Sequence, residues 1–282
     1  MAKQLNLFFP QWQGSGPDLS VYHGALELKQ FFKDKLNFTE VAVSTNPITA
    51  TEDNIYGYSN IIHQMKEARS IIDHTAPGSI FTLGGGCDAG ILPLSYLNKL
   101  CRGDLAVVWF DAHGDLNSPQ TSPSKFFYGM PVRTLLGDNN SSILNLCYKN
   151  LNRQQLALCG LRELDPAEQE YIEKEDLKVI TVSAMANNPA RPAEILAGSR
   201  FKNLYIHLDL DVIDPEEFPN SPVPEPNGLS TKTLKEALAI LVKSYNLVGF
   251  GLFEYSPSGK KPATFLEEVI NIGSRLNSPT NI

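Results

Sequence analysis

The chain has 282 residues, 42% hydrophobic and 20% charged, an ordinary balance for a globular protein. A net charge of −7 with no local Lys/Arg cluster argues against nucleic acid as a partner, because an acidic chain repels phosphate. The longest apolar runs, 105–110 and 247–253, are far shorter than the roughly 20 residues of a membrane span, and Met1–Pro10 lacks a secretory cleavage pattern, so no membrane partner and a cytoplasmic location are expected.

In chain order, an apolar run at 5–9 predicts the first strand, and an amphipathic stretch at 22–35 predicts the first helix. Further strands are predicted at 41–43, 80–83, 105–110, 156–161, 179–182, 204–210 and 248–253. Helices are predicted at 54–73, 92–101, 131–136, 166–174, 191–198, 231–244 and 262–276, with Pro131, Pro166 and Pro262 suited to first turns. The strands are continuous apolar runs rather than alternations, as in strands buried on both faces of a parallel sheet. Eight of them alternating with helices predict a doubly wound α/β sheet, a closed eight-fold barrel being the rival. No repeat or linker divides the chain, and the proline-rich stretch 215–226 reads as a loop, so residues 1–282 are expected to form one domain.

Polar residues gather where these strands end. Cys87 and Asp88 follow Gly84-Gly85-Gly86, and Asp111-Ala112-His113-Gly114-Asp115 follows the run at 105–110. Arg162 and Asp165 follow the run at 156–161, His207-Leu208-Asp209-Leu210-Asp211 closes the run at 204–210, and Glu254 ends the last strand. Ligands of open α/β sheets bind outside the carboxyl ends of the strands. The glycine triplet lacks the Gly-Lys-Ser/Thr ending of a phosphate loop.

At a strand end, residues i, i+2 and i+4 share a face, so Asp111, His113 and Asp115 are expected to converge. His207, Asp209 and Asp211 repeat the spacing, and isolated aspartates after so apolar a run would carry a large desolvation cost. Such groups are stabilised by divalent cations, and two carboxylate pairs carry more charge than one ion balances. A pair of metals about 3.5–4 Å apart, able to activate water near neutral pH, fits this ligand set.

Asp-Ala-His-Gly-Asp at 111–115, His-Leu-Asp-Leu-Asp-Val-Ile-Asp-Pro at 207–215 and Gly-Leu-Phe-Glu at 251–254 resemble the ureohydrolase (arginase–agmatinase) superfamily in content, order and spacing. The resemblance runs from about Leu83 to the C-terminus. It implies an α/β fold with a three-layer α/β/α arrangement and a mostly parallel eight-stranded sheet. It further implies two Mn2+ ions, homo-oligomers such as trimers or hexamers, and hydrolysis of a guanidino group to an amine plus urea or an analogue.

Carried over residue by residue, the resemblance makes Asp111 and Asp209 carboxylates that touch both metals. Asp115 becomes a ligand of the first that also bonds the attacking hydroxide, and His113 and Asp211 become ligands of the second. Glu254 receives the guanidinium, while Asn117, Ser124 and Asp165 hold the α-amino and α-carboxylate groups of the substrate. Gly160-Leu161-Arg162 followed by Asp165-Pro166 is similar to the arginine-specific members, favouring an amino acid over agmatine.

Three departures refine this. Cys87 stands where the superfamily has a ligand histidine, which resembles the N-omega-hydroxyarginine hydrolase branch; it is either a thiolate ligand or a small buried hydrophobe. Tyr128 replaces a proton-shuttling histidine, and with an ordinary pKa near 10 it is a poor shuttle. Val223 falls where members carry a threonine. His207 shares a face with Asp209 and reads as either core packing or a support behind the ligands. His23, His63 and His74 carry no assigned role, and Cys101, Cys147 and Cys159 read as reduced packing residues.

The expected function is thus a binuclear amidinohydrolase giving ornithine plus urea or hydroxyurea, with N-omega-hydroxyarginine ahead of arginine. The alternatives are an agmatinase- or formiminoglutamase-type hydrolase, or a non-catalytic binding protein with a degraded metal site.

Overall fold

Apolar runs long enough for one strand and bounded by turn residues build the centre of this protein. The computed structural model describes residues 3–48, 50–198, 201–257, 259 and 264–279. In chain order the elements are β1 (Gln4–Phe9), α1 (Ser20–Phe32), β2 (Thr39–Glu40), β3 (Thr51–Glu52), β4 (Ile55–Tyr56), α2 (Tyr58–Thr75), β5 (Ser79–Gly84), α3 (Ile91–Leu100), β6 (Leu105–Phe110), α4 (Pro131–Leu135) and α5 (Ser141–Leu144). They continue with β7 (Leu156–Cys159), α6 (Pro166–Glu175), β8 (Lys178–Ile180), α7 (Val182–Asn187), α8 (Arg191–Ala197), β9 (Asn203–Asp209), α9 (Thr231–Ser244), β10 (Asn246–Phe253) and α10 (Thr264–Gly273).

Eight strands form one open sheet in the order β2-β1-β5-β10-β9-β6-β7-β8, and every pairing in it is parallel. The open order excludes the barrel. Alternate residues of the central strands feed opposite cores. Ala106, Val108 and Phe110 of β6 pack with α1, α8, α9 and α10, whereas Leu105, Val107 and Trp109 pack with α2, α3 and α4. That is a three-layer α/β/α arrangement. Each fully buried Leu, Val or Phe contributes roughly 1.5–3 kcal/mol, so a strand buried on both faces is held by nearly every residue in it. No helix among the described residues is long and apolar enough to cross a membrane.

Several boundaries differ from the sequence reading, each for a local reason. The helix expected from 54 begins at Tyr58, because Asp53 and Asn54 both adopt left-handed conformations and turn an antiparallel β3–β4 ribbon. The strand expected over 156–161 stops at Cys159, where Gly160 takes φ +100°. Val182 opens a helix rather than ending a strand, since Thr181 caps α7 by accepting the Ala184 N–H at 3.2 Å. The strand expected over 41–43 pairs earlier, at Thr39–Glu40. Pro131 and Pro166 occupy first-turn positions as expected, and Pro262 lies outside the described residues.

Gly24 shows packing overruling propensity. It sits inside α1, where alanine would gain up to about 1 kcal/mol in helix propensity. A Cβ there would lie 1.7 Å from the backbone oxygen of Tyr255, just past β10. Forcing those backbones apart costs about 1–3 kcal/mol or more. Gly24→Ala is therefore expected to be net destabilising in urea unfolding, and a neutral or stabilising result would show that α1 does not pack this closely.

Candidate active site

The four strands β5, β10, β9 and β6 are consecutive neighbours in the sheet, although far apart in the chain. Their carboxyl ends therefore deliver, side by side, Cys87, Glu254, Asp209 with Asp211, and Asp111 with His113 and Asp115. On the flanks, β1 leads into the 3-10 turn Gln13–Ser15, and β7 leads into Arg162 and Asp165.

The convergence is made by turns, not by strand pleat. Strand β6 ends at Phe110, and the Asp111 carboxylate folds back to accept the His113 N–H at 2.7 Å. Asp115 adopts φ +54°, a conformation rare for non-glycine residues, which returns its side chain toward Asp111. Asp209 is the last residue of β9 and caps the 3-10 turn Leu210–Val212 by accepting the Asp211 N–H at 2.7 Å. Asp211 in turn accepts the Ala112 N–H at 2.9 Å, tying the two loops together. Glu254 also lies in the left-handed region, at φ +56°, and its N–H donates to the Gly85 carbonyl at 2.9 Å. Such backbone strain, on the order of 1–3 kcal/mol each, clusters where function requires it.

Gly85 permits this approach, because a Cβ there would lie 2.0 Å from the Gln11 oxygen. The next peptide then brings in Cys87, whose N–H donates to Glu254 Oε1 at 3.2 Å. Ser15 donates its hydroxyl to the same oxygen at 3.2 Å. Cys87 Sγ lies 3.0 Å from Asp209 Oδ2, 4.0 Å from Asp111 Oδ2 and 3.0 Å from His207 Nε2. His113 Nδ1 is 2.8 Å from Asp211 Oδ2 and 3.5 Å from Asp111 Oδ1.

Three overlapping donor groups result: Cys87, Asp111, Asp115 and His207; Cys87, Asp209 and Glu254; and Asp111, His113 and Asp211, each with ligand atoms within 4.8 Å of one another. Burial pushes Asp115, Asp209 and Glu254 well above the carboxylate range, and their acidic neighbours add to it. Asp111 rises to about 6, chiefly by burial and then by Asp211. Burial works against a charged His113, but hydrogen bonds to Asp111 and Asp211 outweigh it and push the imidazole up to about 12. Burial, then Asp209 and its fellow carboxylates, drives the Cys87 thiol well above its usual range. Asp115 Oδ2 is buried with no hydrogen-bond partner. An orphaned carboxylate oxygen amid oxygen, nitrogen and sulfur donors fits divalent cations of hard-to-borderline character.

A cavity of about 390 Å³ opens on Glu254 and is walled by Ser15, Tyr128, Pro222, Val223 and Ser256, among others. Burial, reinforced by Glu254, holds Tyr128 above the ordinary phenol range, so it stays protonated. Asn117, Ser124 and Asp165 do not wall this cavity. Asn117 donates to Asp165 Oδ2 at 2.8 Å, and exposed Ser124 accepts the Phe126 N–H at 3.2 Å.

Sequence alone assigned no role to three residues that the structure brings to or near the site. Ser15 was hidden in a Gly/Ser turn, though a turn at a strand's carboxyl end was itself a signal. Glu168 looked like helix surface, yet it is buried and accepts the Leu116 and Asp165 N–H groups at 2.8 and 3.0 Å, bracing both loops. Asp88 is buried with neither carboxylate oxygen partnered, and burial pushes it to about 7.

A sequence profile described as Arginase family matches residues 23–267. The arginase of Staphylococcus aureus (strain MRSA252) is 28% identical over 253 residues, covering 86% of this chain and 83% of that one. Among solved structures, Entamoeba histolytica arginase in complex with L-ornithine superposes with a TM-score of 0.82 at 21% identity, over 97% of this chain and 98% of that one. Formimidoylglutamase from Bacillus subtilis gives 0.71 at 19% identity, over 97% and 86%.

The crowded charge has a measurable consequence. Asp111, Asp115, Asp209, Glu254 and His113 are all held above their unfolded values, so the stability each contributes is present at low pH and lost as pH rises. His207 is held low by burial and opposes this trend only below about pH 6.5. Between about pH 6.5 and 8, metal-free protein is expected to melt at progressively lower temperature, and added Mn2+ to raise the melting temperature increasingly with pH. Calorimetry in EDTA against Mn2+ checks this; a metal-free melting temperature that is flat or rising across the window would contradict it.

Proposed function

The chain belongs to the arginase family, and from that premise we propose that it is a binuclear metal-dependent amidinohydrolase of an arginine-like amino acid. It cleaves the guanidino or N-hydroxyguanidino group to ornithine plus urea or hydroxyurea. The observation that carries this reading is the convergence of Cys87, Asp111, His113, Asp115, Asp209 and Asp211 beside Glu254 and its cavity. A volume of about 390 Å³ suits a small ligand.

Asp111 and Asp209 would touch both cations, Cys87 and Asp115 the first, and His113 and Asp211 the second. Two Mn2+ are the expected pair, with the thiolate favouring a softer ion at its own position. Cations bound there supply a water molecule of lowered pKa as the nucleophile and offset the carboxylate crowding. Glu254 pairs with the planar guanidinium, its Oε1 steadied by Ser15 and by the Cys87 N–H. Asp115 Oδ2, free of other partners, takes a proton from the attacking water and returns it to the departing amine.

Tyr128 offers a hydroxyl hydrogen bond at the cavity wall rather than a proton shuttle. A hydroxyguanidine is less basic than a guanidine and needs less proton delivery, so Tyr128 and Cys87 together favour N-omega-hydroxyarginine over arginine. Asn117 and Asp165, already joined, grip the α-amino acid end with Ser124. Four free cysteines suit a reducing, cytoplasmic setting.

Release of urea and hydroxyurea from arginine, N-omega-hydroxyarginine and agmatine tests the reading. Agmatine should be poorer by roughly 10- to 100-fold for each charge-assisted bond lost, and equal turnover of agmatine and arginine would remove the role given to Asn117, Ser124 and Asp165. Asp209→Ala should abolish turnover and lower metal content, since one carboxylate serves both ions. Full occupancy in that variant would sink the two-metal assignment.

A further inference from the structure

His207 is fully buried on β9, two residues before Asp209, and its ring lies between two aromatic planes. Trp109, its register partner on β6, stacks at 3.4 Å and 6°, and Phe253 covers the other side at 4.4 Å and 17°. The two planes hold the ring against rotation and tilt, and among the described residues its only hydrogen-bond contact is Nε2 to Cys87 Sγ at 3.0 Å. Nδ1 is buried with no hydrogen-bond partner among the described residues, and it faces Gly90, where even an added Cβ would lie 3.4 Å away.

A neutral imidazole carries one N–H, and the two tautomers are not equivalent here. With the proton on Nδ1, a buried N–H would be left without an acceptor. With the proton on Nε2, that N–H meets the sulfur and only a bare lone pair stays unpaired. The same asymmetry excludes His207 as a metal ligand, although it lies within reach of Cys87, Asp111 and Asp115. A ligating histidine donates its other ring N–H to a partner, and none is available. The sulfur can receive the bond. As a thiol it donates its S–H to Asp209 Oδ2 at 3.0 Å and accepts from His207, and as a thiolate it keeps the imidazole bond alone.

We propose that His207 is a positioning residue for the Cys87 sulfur: its Nε2–H, locked by Trp109 and Phe253, donates to the thiolate and sets that ligand's orientation and donor strength toward the first metal. This rests on the reading that Cys87 ligates. Among the described residues the sulfur's other contacts are Asp209 Oδ2 and Asp111 Oδ2, carboxylate oxygens that can only accept. Once a cation has drawn off the thiol proton, the His207 N–H is therefore the donor that complements the thiolate.

Co2+-loaded protein tests both layers. Wild type should show a thiolate-to-cobalt charge-transfer band that Cys87→Ala abolishes. His207→Phe keeps the aromatic stack and removes the N–H. It should move the band to lower energy and weaken Co2+ affinity by roughly 10–100-fold, the usual loss for an outer partner of a ligand. His207→Gln, which keeps an N–H donor, should recover part of both effects. A residue that merely packs would leave band and affinity unchanged in His207→Phe, and that outcome overturns the role of His207 while leaving Cys87 a ligand. No band in wild type would instead overturn the ligation on which the proposal stands. Nitrogen NMR of 15N-histidine-labelled, Zn2+-loaded wild type needs no variant. It should find the proton on His207 Nε2 and a bare Nδ1, and a protonated Nδ1 would make His207 a ligand and refute the proposal.

Discussion

Buried negative charge at the carboxyl edge of the sheet is the constraint on which the rest of this structure turns. Asp111, Asp115, Asp209, Asp211 and Glu254 are all nearly inaccessible to solvent and lie around one sulfur and two imidazoles. Removing a carboxylate from water is costly unless it is neutralised or paired. The protein answers partly with main-chain N–H groups: those of His113, Ala112, Asp211 and Cys87 each point at one of these carboxylates. Fixed dipoles of this kind cannot cancel the charge, so protons or cations must complete the site, and catalysis can draw on a cluster already oriented for them.

Topology makes the cluster possible. Neighbouring strands in a sheet end within one strand spacing of each other, about 4.8 Å. The central order β5-β10-β9-β6 therefore brings together four loops separated by up to most of the chain. Rigid strands set the positions of the loops, and left-handed turns at Asp115 and Glu254 aim the side chains. A site built this way tolerates strain at its working residues because the two cores beneath the sheet hold the strand ends in place.

Beneath the donors lies a second layer, made by the preceding inward-facing residues of the same strands. Trp109 sits two residues before Asp111, and His207 two before Asp209. The pleat sets them below the carboxylates and against each other across the β6–β9 pairing. Trp109 donates its indole N–H to Asp111 Oδ2 at 3.1 Å, as His207 meets Cys87. Each heteroaromatic ring thus joins packing to the orientation of a donor above it. Such a layer transmits the stiffness of the core to the site.

Local patterning in the chain determined much of this by itself. Apolar runs without alternation specified buried parallel strands, and seven of the eight predicted runs fall on strands of the sheet, the run at 41–43 lying just past the exposed edge strand β2. The spacing of acidic residues after those runs marked Cys87, Asp111, His113, Asp115, Asp209, Asp211 and Glu254 as one group, because charge placed directly after an apolar strand has few other uses. Turns decided what periodicity could not. The Asp53–Asn54 hairpin, the end of β7 at Gly160 and the folding back of Asp111–Asp115 depend on left-handed conformations or caps that a hydrophobic pattern does not encode. Only the tertiary structure decided the neighbours: that Glu168 is buried under Leu116, that Ser15 reaches Glu254, and that Trp109 and Phe253 clamp His207 against Cys87. Strand order in the sheet sets those contacts, and strand order arises from packing between segments distant in the chain, which no local run of residues records.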